Sequence, residues 1–235
     1  MTGKRAVVLG AGGGIGAALV AGLRADATYA EVIACARGAD DTGLRFDLAD
    51  EASIAALAER IGAGGSLDLV LVATGMLHEP GGAQPEKSLR AIDPVAMQRS
   101  FALNTIGPAL VAKHFLPLLP RDRRAVFAVL SARVGSIGDN QLGGWYSYRA
   151  SKAALNMLLR CFAIDLARTH PAGIAVALHP GTVASRLSEP FARSGQGRTI
   201  MTAAASAAHL LRVIDGLGPA DSGYLFAWDG AKLPF

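Results

Sequence analysis

Cysteine is scarce in this chain of 235 residues: Cys35 and Cys161 are its only two, far apart and each inside an apolar segment. Such a pair offers no disulfide framework and reads as two buried free thiols, so a reducing, cytoplasmic setting is expected. Lysine is also scarce, at positions 4, 87, 113, 152 and 232 only among 23 basic residues. The basic residues are scattered singly, and the densest group, "RDRR" at 121–124, lies between apolar segments and reads as a solvated loop. No basic stripe emerges, which argues against a nucleic-acid partner, while the net charge of +4 suits an anionic small molecule. No two of the five histidines have metal-ligand spacing, and long stretches lack the carboxylates that a two-acid hydrolase needs. Charge is thin overall, at 18% against 51% apolar residues, which excludes a disordered chain.

The longest uncharged stretch, Ala6–Leu23, follows two basic residues and is trailed by an A-x-A ending at Ala27. That profile resembles a signal peptide or a membrane span. Six of its 18 residues are glycine, gathered between a strand-like half and a helix-like half, which argues against both. No membrane partner is expected.

Short β-rich runs alternate with longer helical patterns along the whole chain. The predicted strands are 5–10, 31–36, 44–46, 68–74, 124–131, 174–180 and 223–229; the predicted helices are 15–26, 51–61, 93–119, 147–169 and 201–217. Apolar strands separated by helices indicate a parallel sheet covered on both faces. With no repeat, linker or low-complexity tract, the expectation is one α/β domain over 1–235, a doubly wound parallel sheet of about seven strands. The least regular segments, 75–92 and 185–200, are expected to border the site, because ligands sit outside the carboxyl ends of such strands.

"VVLGAGGGIG" follows the first strand and opens the first helix. Gly10, Gly14 and Gly16, spaced G-x3-G-x-G, permit a sharp turn and close backbone approach, and aim a helix N-terminus at a pyrophosphate. About 20 residues on, where an acid would hold the ribose hydroxyls of NAD, stand Ala36 and Arg37. A guanidinium there suits a 2′-phosphate, favouring NADP over NAD, although Asp40 and Asp41 lie near enough to serve a ribose.

In "WYSYRASKAAL" (145–155), Tyr148 and Lys152 are four apart and share a helix face, which Tyr146 does not. An unperturbed phenol titrates near 10, and a neighbouring ammonium lowers that value toward usefulness as a proton donor and acceptor.

"GAGGGIG", "FDL" (46–48), "ATG" (73–75), "LNTIG" (103–107), "YRASK" (148–152) and "PGTV" (180–183) occur together in this order. The whole chain thereby resembles the short-chain dehydrogenase/reductase family, with "LSARVGSIGDNQLGGWYSYRASKAALNM" and the ending "SGYLFAWDGAKLPF" most like its C-factor and sniffer-like carbonyl reductase branch. The resemblance implies a Rossmann-type fold and hydride transfer between a nicotinamide cofactor and a small carbonyl or alcohol. It implies that Tyr148 exchanges the proton, that Lys152 assists it and holds the nicotinamide ribose, and that Asn104 supports a helix kink and a water-linked proton path. Gly107 and Pro108 independently argue for an irregularity just there. It further assigns Gly10, Gly14, Ile15 and Gly16 to the phosphate loop, Asp47 and Leu48 to the adenine, Gly75 to a ribose, and Pro180, Gly181 and Val183 to the nicotinamide carboxamide. "HPGTVASRLSEPF" reads as the loop over the cofactor, with Leu187 and Phe191 either facing substrate or packing under a short helix. The family commonly pairs its two long helices, here near 93–119 and 146–169, which implies a homodimer or homotetramer.

Three departures stand out. Leu9 replaces the usual threonine before the first glycine, and Val72, Ala73 and Thr74 alter the usual N-A-G. The third touches the chemistry: the family serine, three residues before Gly135, is Ala132 here, with Ser131 beside it. Alternation along a strand sends neighbours to opposite faces, so Ser131 and Ser136 both remain candidates for the missing hydroxyl. Two functions are therefore weighed: an NADP-dependent oxidoreductase, and a dinucleotide-binding signalling or redox-sensing protein with little turnover, which Ala132 keeps open. An extended-family epimerase is disfavoured, since 235 residues leave little room for a substrate domain.

Overall fold

A computed structural model describes residues 3–38, 44–78, 82, 84–184 and 200–235. Among these the strands are β1 (Lys4–Leu9), β2 (Tyr29–Ala36), β3 (Leu44–Arg45), β4 (Leu69–Val72), β5 (Ala125–Leu130), β6 (Gly173–His179), β7 (Thr182–Val183), β8 (Ile200–Met201), β9 (Leu225–Ala227) and β10 (Lys232–Leu233). Eight of them form one sheet in the order β10-β9-β6-β5-β4-β1-β2-β3, parallel except for β10, while β7 and β8 pair separately. The sheet has one strand more than the sequence predicts, because β10 returns antiparallel on β9.

The helices are α1 (Gly14–Ala25), α2 (Glu51–Gly62), α3 (Pro94–Phe101), α4 (Gly107–Phe115), α5 (Tyr146–Thr169) and α6 (Ala203–Gly216). Strand alternation divides the interior into two cores. Val7, Val70, Phe127 and Ala175 face α2, α4 and α5, whereas Val8, Leu71, Ala128 and Val176 face α1 and α6. Each fully buried Leu, Val or Phe contributes about 1.5–3 kcal/mol of transfer free energy, so both faces of the central strands drive folding.

The chain runs outward from β1 through β2 to β3, then returns to place β4 on the other side of β1. The reversal opens a crevice at the carboxyl ends of β1 and β4, the place where such sheets take ligands. Side chains cap three of the helices that follow: Asp50 on α2, Asp93 on α3 and Thr202 on α6. No side chain caps α1, and its first turn carries no acid.

Two expectations are corrected. The helix expected over 93–119 is interrupted: α3 and α4 are joined by a π-helical turn over Ala102–Ile106, followed by a 3-10 turn at Leu116–Leu118. Cys161 is exposed, while Cys35 is buried as expected. The reason is helical phase: α5 buries Leu155, Leu159, Ala163 and Leu166, which leaves 161 on the opposite face. The 121–124 cluster is exposed, yet Arg124 also donates to the Ile214 and Leu217 carbonyls at the end of α6. No helix among the described residues is long and apolar enough to cross a membrane.

Candidate active site

The floor of the crevice is the turn from β1 into α1. Gly10 adopts φ +99°, a region open to glycine at little cost, and the N–H groups of Gly10 and Ala11 both donate to the Cys35 carbonyl, at 2.8 and 2.9 Å. A Cβ on Gly16 would overlap the Gly10 carbonyl, so only glycine lets the helix start this close to the strand. Gly12, Gly13 and Gly14 are exposed, and Ile15 packs beneath them on the α1 side of the sheet. An uncapped helix N-terminus with three exposed glycines is a ready anion site. Beside it, just past the end of β4, the Thr74 hydroxyl is buried and has no hydrogen-bond partner among the described residues, a polar atom that a ligand in the crevice could satisfy.

Arg37 follows β2 directly, is exposed, and makes no ion pair among the described residues. Asp40 and Asp41 lie outside the described residues. Asp47 is exposed and its carboxylate accepts from the Ala49 N–H at 2.9 Å, whereas Leu48 is buried against Gly107. On the far side, the Pro180 carbonyl accepts from the Ser206 hydroxyl at 2.8 Å, and Gly181 (φ +77°) leaves no room for a Cβ between Met201 and Trp228. Val183 is buried in β7, and β7 and β8 bracket the segment 185–199. Leu187 and Phe191, in that segment, lie outside the described residues.

Tyr148 and Lys152 occupy successive turns of α5, with the Lys152 ammonium 6.0 Å from the phenol ring centre. Lys152 is 2% exposed and donates to the Leu130 carbonyl at 2.9 Å. The π turn places Asn104 opposite, fully buried. Its Oδ1 accepts from the Met76 N–H and its Nδ2 donates to the Met76 carbonyl, both at 2.8 Å, which pins the strand exit after β4. A Cβ on Gly75 would stand 3.5 Å from Lys152 Nζ and 3.6 Å from Asn104 Oδ1, so the three residues converge on one point. The crevice thus joins an anion-binding turn to a buried lysine, a phenol and an amide.

The profile of the short chain dehydrogenases matches residues 4–195. This chain belongs to that family. As a short chain dehydrogenase it is an oxidoreductase, and its relatives agree. It is 38% identical over 149 residues to the C-signal protein of Myxococcus xanthus, covering 63% of this chain and 84% of that one. It is 37% identical over 191 residues to 1-hydroxy-2-glutathionyl-2-methyl-3-butene dehydrogenase of Rhodococcus sp. strain AD45, covering 80% and 77%. The fold superposes on an NADPH-bound carbonyl reductase from chicken fatty liver with a TM-score of 0.85 at 27% identity, and on the Drosophila melanogaster carbonyl reductase Sniffer with 0.84 at 22%, each over the full length of both chains. The likeness to Sniffer is one of fold.

The electrostatics of this short chain dehydrogenase run opposite to the simple expectation. Burial pushes the Tyr148 phenol up to about 12 and the Lys152 ammonium down to about 8. Loss of water around both groups is the cause of each shift, and it works against the charged form of each.

Ser131 is buried and donates to Asn156 Oδ1 at 2.7 Å, one turn beyond Lys152 on α5. Ser136 is also buried, and its Oγ accepts from the Asp139 N–H at 3.1 Å. Ala132 sits between strand and 3-10 turn with extended backbone (φ −149°, ψ 145°).

Sequence reasoning misses several residues that build the site. Ser100 and Ser151 accept from Asn104 Nδ2 at 3.2 and 3.1 Å and lie 3.2 Å from each other. Their signal was the helical spacing: Ser100 is four residues before Asn104, as Asn156 is four after Lys152. Arg149 donates to the Gly143, Gly144 and Val134 carbonyls and so fastens the loop before α5.

Proposed function

We propose that this short chain dehydrogenase works as one domain to transfer hydride between NADP(H) and a small carbonyl or alcohol, with Tyr148 as the proton donor and acceptor. The observation that carries the reading is the convergence of Lys152, Asn104 and Gly75 one helical turn from Tyr148, beneath an uncapped glycine turn. The N–H groups of Gly14, Ile15 and Gly16 would hold the pyrophosphate, Arg37 the 2′-phosphate, and Thr74 a ribose hydroxyl within reach of its orphaned Oγ1. Asp47 and Leu48 would face the adenine, Gly75 and Lys152 the nicotinamide ribose, and the Pro180–Val183 turn the carboxamide. The bound nicotinamide supplies the hydride.

The chain's own residues manage the proton. Burial keeps the Tyr148 phenol protonated at neutral pH but makes it a weaker acid, so giving its proton to a carbonyl oxygen calls for stabilisation of the phenolate that results. The Lys152 ammonium, with a value near 8, is predominantly charged at neutral pH and supports the phenolate left behind. Asn104, locked to Met76, keeps the opposite wall in place.

A second reading, a dinucleotide-binding sensor with little turnover, draws on the Ser131 bond to Asn156 and the absence of a hydroxyl at Ala132. One experiment separates the two: NADPH absorbance followed with a panel of diketones, quinones, aldehydes and ketones, with Tyr148→Phe in parallel. Turnover abolished in the variant supports the enzyme; tight NADPH binding without turnover supports the sensor. Val95 on α3, Ile106 in the π turn, and Met157 and Ile164 on α5 are exposed and offer apolar surface to a second copy, so light scattering should give a homodimer or homotetramer. Two unpaired thiols suit a reducing, cytoplasmic setting.

A further inference from the structure

Glu86 lies in the irregular stretch between β4 and α3 and is 6% exposed. A carboxylate taken that far from water needs donors. Among the described residues, both of its donor groups come from one residue at the start of α5. The Ser147 N–H lies 3.3 Å from each carboxylate oxygen, and the Ser147 hydroxyl donates to Oε1. The backbone carbonyl of Glu86 accepts from the Trp145 N–H at 2.6 Å. One residue thus grips the entrance of α5 at two points, immediately before Tyr148.

The segment it grips is strained. Gly143, Gly144 and Trp145 have φ of +62°, +63° and +51°, three consecutive left-handed residues. Glycine takes that conformation freely, whereas a bulky aromatic does so only where its surroundings enforce it. The Trp145 indole stands edge-on to the Tyr148 ring, with centres 6.4 Å apart and planes at 69°. Lys152 borders the same ring at 6.0 Å. The direction of the Trp145 side chain follows its backbone, so a change of φ there would move the indole against the phenol ring.

We propose that Glu86 is a positioning residue for the reaction of Tyr148: its carboxylate fixes Ser147, and through it the left-handed Trp145 just before, so that the indole stays as the wall beside the phenol, while the backbone carbonyl bond to Trp145 is common to every variant at 86. The proposal rests on the reading of Tyr148 as the proton donor. Misplacing a reacting group by about 1 Å costs on the order of 100-fold in rate, so loss of the wall should lower kcat by roughly 10- to 100-fold. The glycine turn and Arg37 are untouched, so the KM for NADPH should stay within about twofold on the same geometric ground. Glutamine keeps an acceptor for Ser147 and drops the charge; it therefore separates positioning from electrostatics.

The test uses Glu86→Ala, Glu86→Gln and Ser147→Ala, with Tyr148→Phe alongside. Kinetics are measured in the otherwise native chain on the fastest substrate of the carbonyl panel. Tryptophan emission and acrylamide quenching are read in a Trp228→Phe background, where Trp145 is the remaining indole of the two. The proposal is supported if Glu86→Ala shifts Trp145 emission to the red, raises its quenching and lowers kcat with the KM for NADPH held, and if Glu86→Gln restores both. Unchanged emission overturns it, as does altered emission with native kcat. Should Glu86→Ala lack a cooperative urea transition, Ser147→Ala supplies the same two readouts, and the same results support or overturn the proposal. Native turnover in Tyr148→Phe would instead refute the proton-donor reading, while the emission of Glu86→Ala still reports on the grip itself.

Discussion

Replacing Lys152 by methionine should stabilise the unliganded protein while removing activity. The magnitude follows from the burial of the ammonium. Its value falls from 10.5 to about 8, and each pH unit of difference corresponds to about 1.4 kcal/mol. Holding the group charged therefore costs the folded state about 3 kcal/mol at pH 7 and about 2 kcal/mol at pH 9. Methionine fills a similar volume without a charge, but it withdraws the donor from the Leu130 carbonyl, a loss of about 1 kcal/mol. The net gain is about 2 kcal/mol at pH 7, or roughly 4–8 °C in Tm for a chain of this length. The sign of the pH dependence is fixed by the lowered value. Between pH 8 and 10.5 the unfolded chain binds the proton that the folded chain has lost, so the native protein gains stability from this group as pH rises. The thiol of Cys35 and the phenols of Tyr29 and Tyr148, all pushed up to about 12, work the other way once their unfolded forms ionise. Subtracting variant from native removes those contributions. Urea unfolding of both proteins at pH 7 and pH 9 is the assay, and the advantage of the variant should shrink by about 1 kcal/mol between the two. A variant less stable than the native protein at pH 7, or an advantage that ignores pH, would refute the argument from burial.

Two further outcomes are expected. Arg37→Ala should weaken NADPH binding by roughly 10- to 100-fold, the loss of one charge-assisted contact, and leave NADH nearly unchanged; calorimetry with both cofactors checks it, and equal losses would reject the 2′-phosphate assignment. Ala132→Ser returns a hydroxyl to a capping position with extended backbone and should raise kcat by as much as about 100-fold in the carbonyl assay, the worth of one oxyanion donor. A rise in Tm with no rise in kcat would assign the new hydroxyl to the 3-10 turn alone.

The parts of the molecule that were legible in the sequence are those where chemistry repeats a short rule. Continuous apolar strands, a glycine cluster between strand and helix, and the four-residue spacing of Tyr148 and Lys152 each follow from backbone geometry. An irregularity near Asn104 was legible from Gly107 and Pro108, but its form, a π turn over Ala102–Ile106, was not, because a widened hydrogen-bond ladder leaves the apolar period of 93–119 almost intact. Glu86 was hidden for the opposite reason: it lies in a segment with no period at all, and its role depends on Ser147, 61 residues away. The strand β10 does carry a sequence signal: Asp229-Gly230 is a hairpin turn sequence, and Gly230 takes φ +88°. The fall of the Tyr148–Lys152 charge balance toward burial was not readable from spacing, which places two groups together without saying how much water remains.

The two ends of the sheet share a design. One edge is β3, which exposes Arg45; the other is β10, which exposes Lys232, and each strand is two residues long. A strand edge is a template for a foreign strand only if it is long, flat and uncharged. Both edges here offer a minimal ladder and a cation that another backbone would have to desolvate. Chains that meet at high concentration are therefore steered away from strand-to-strand stacking.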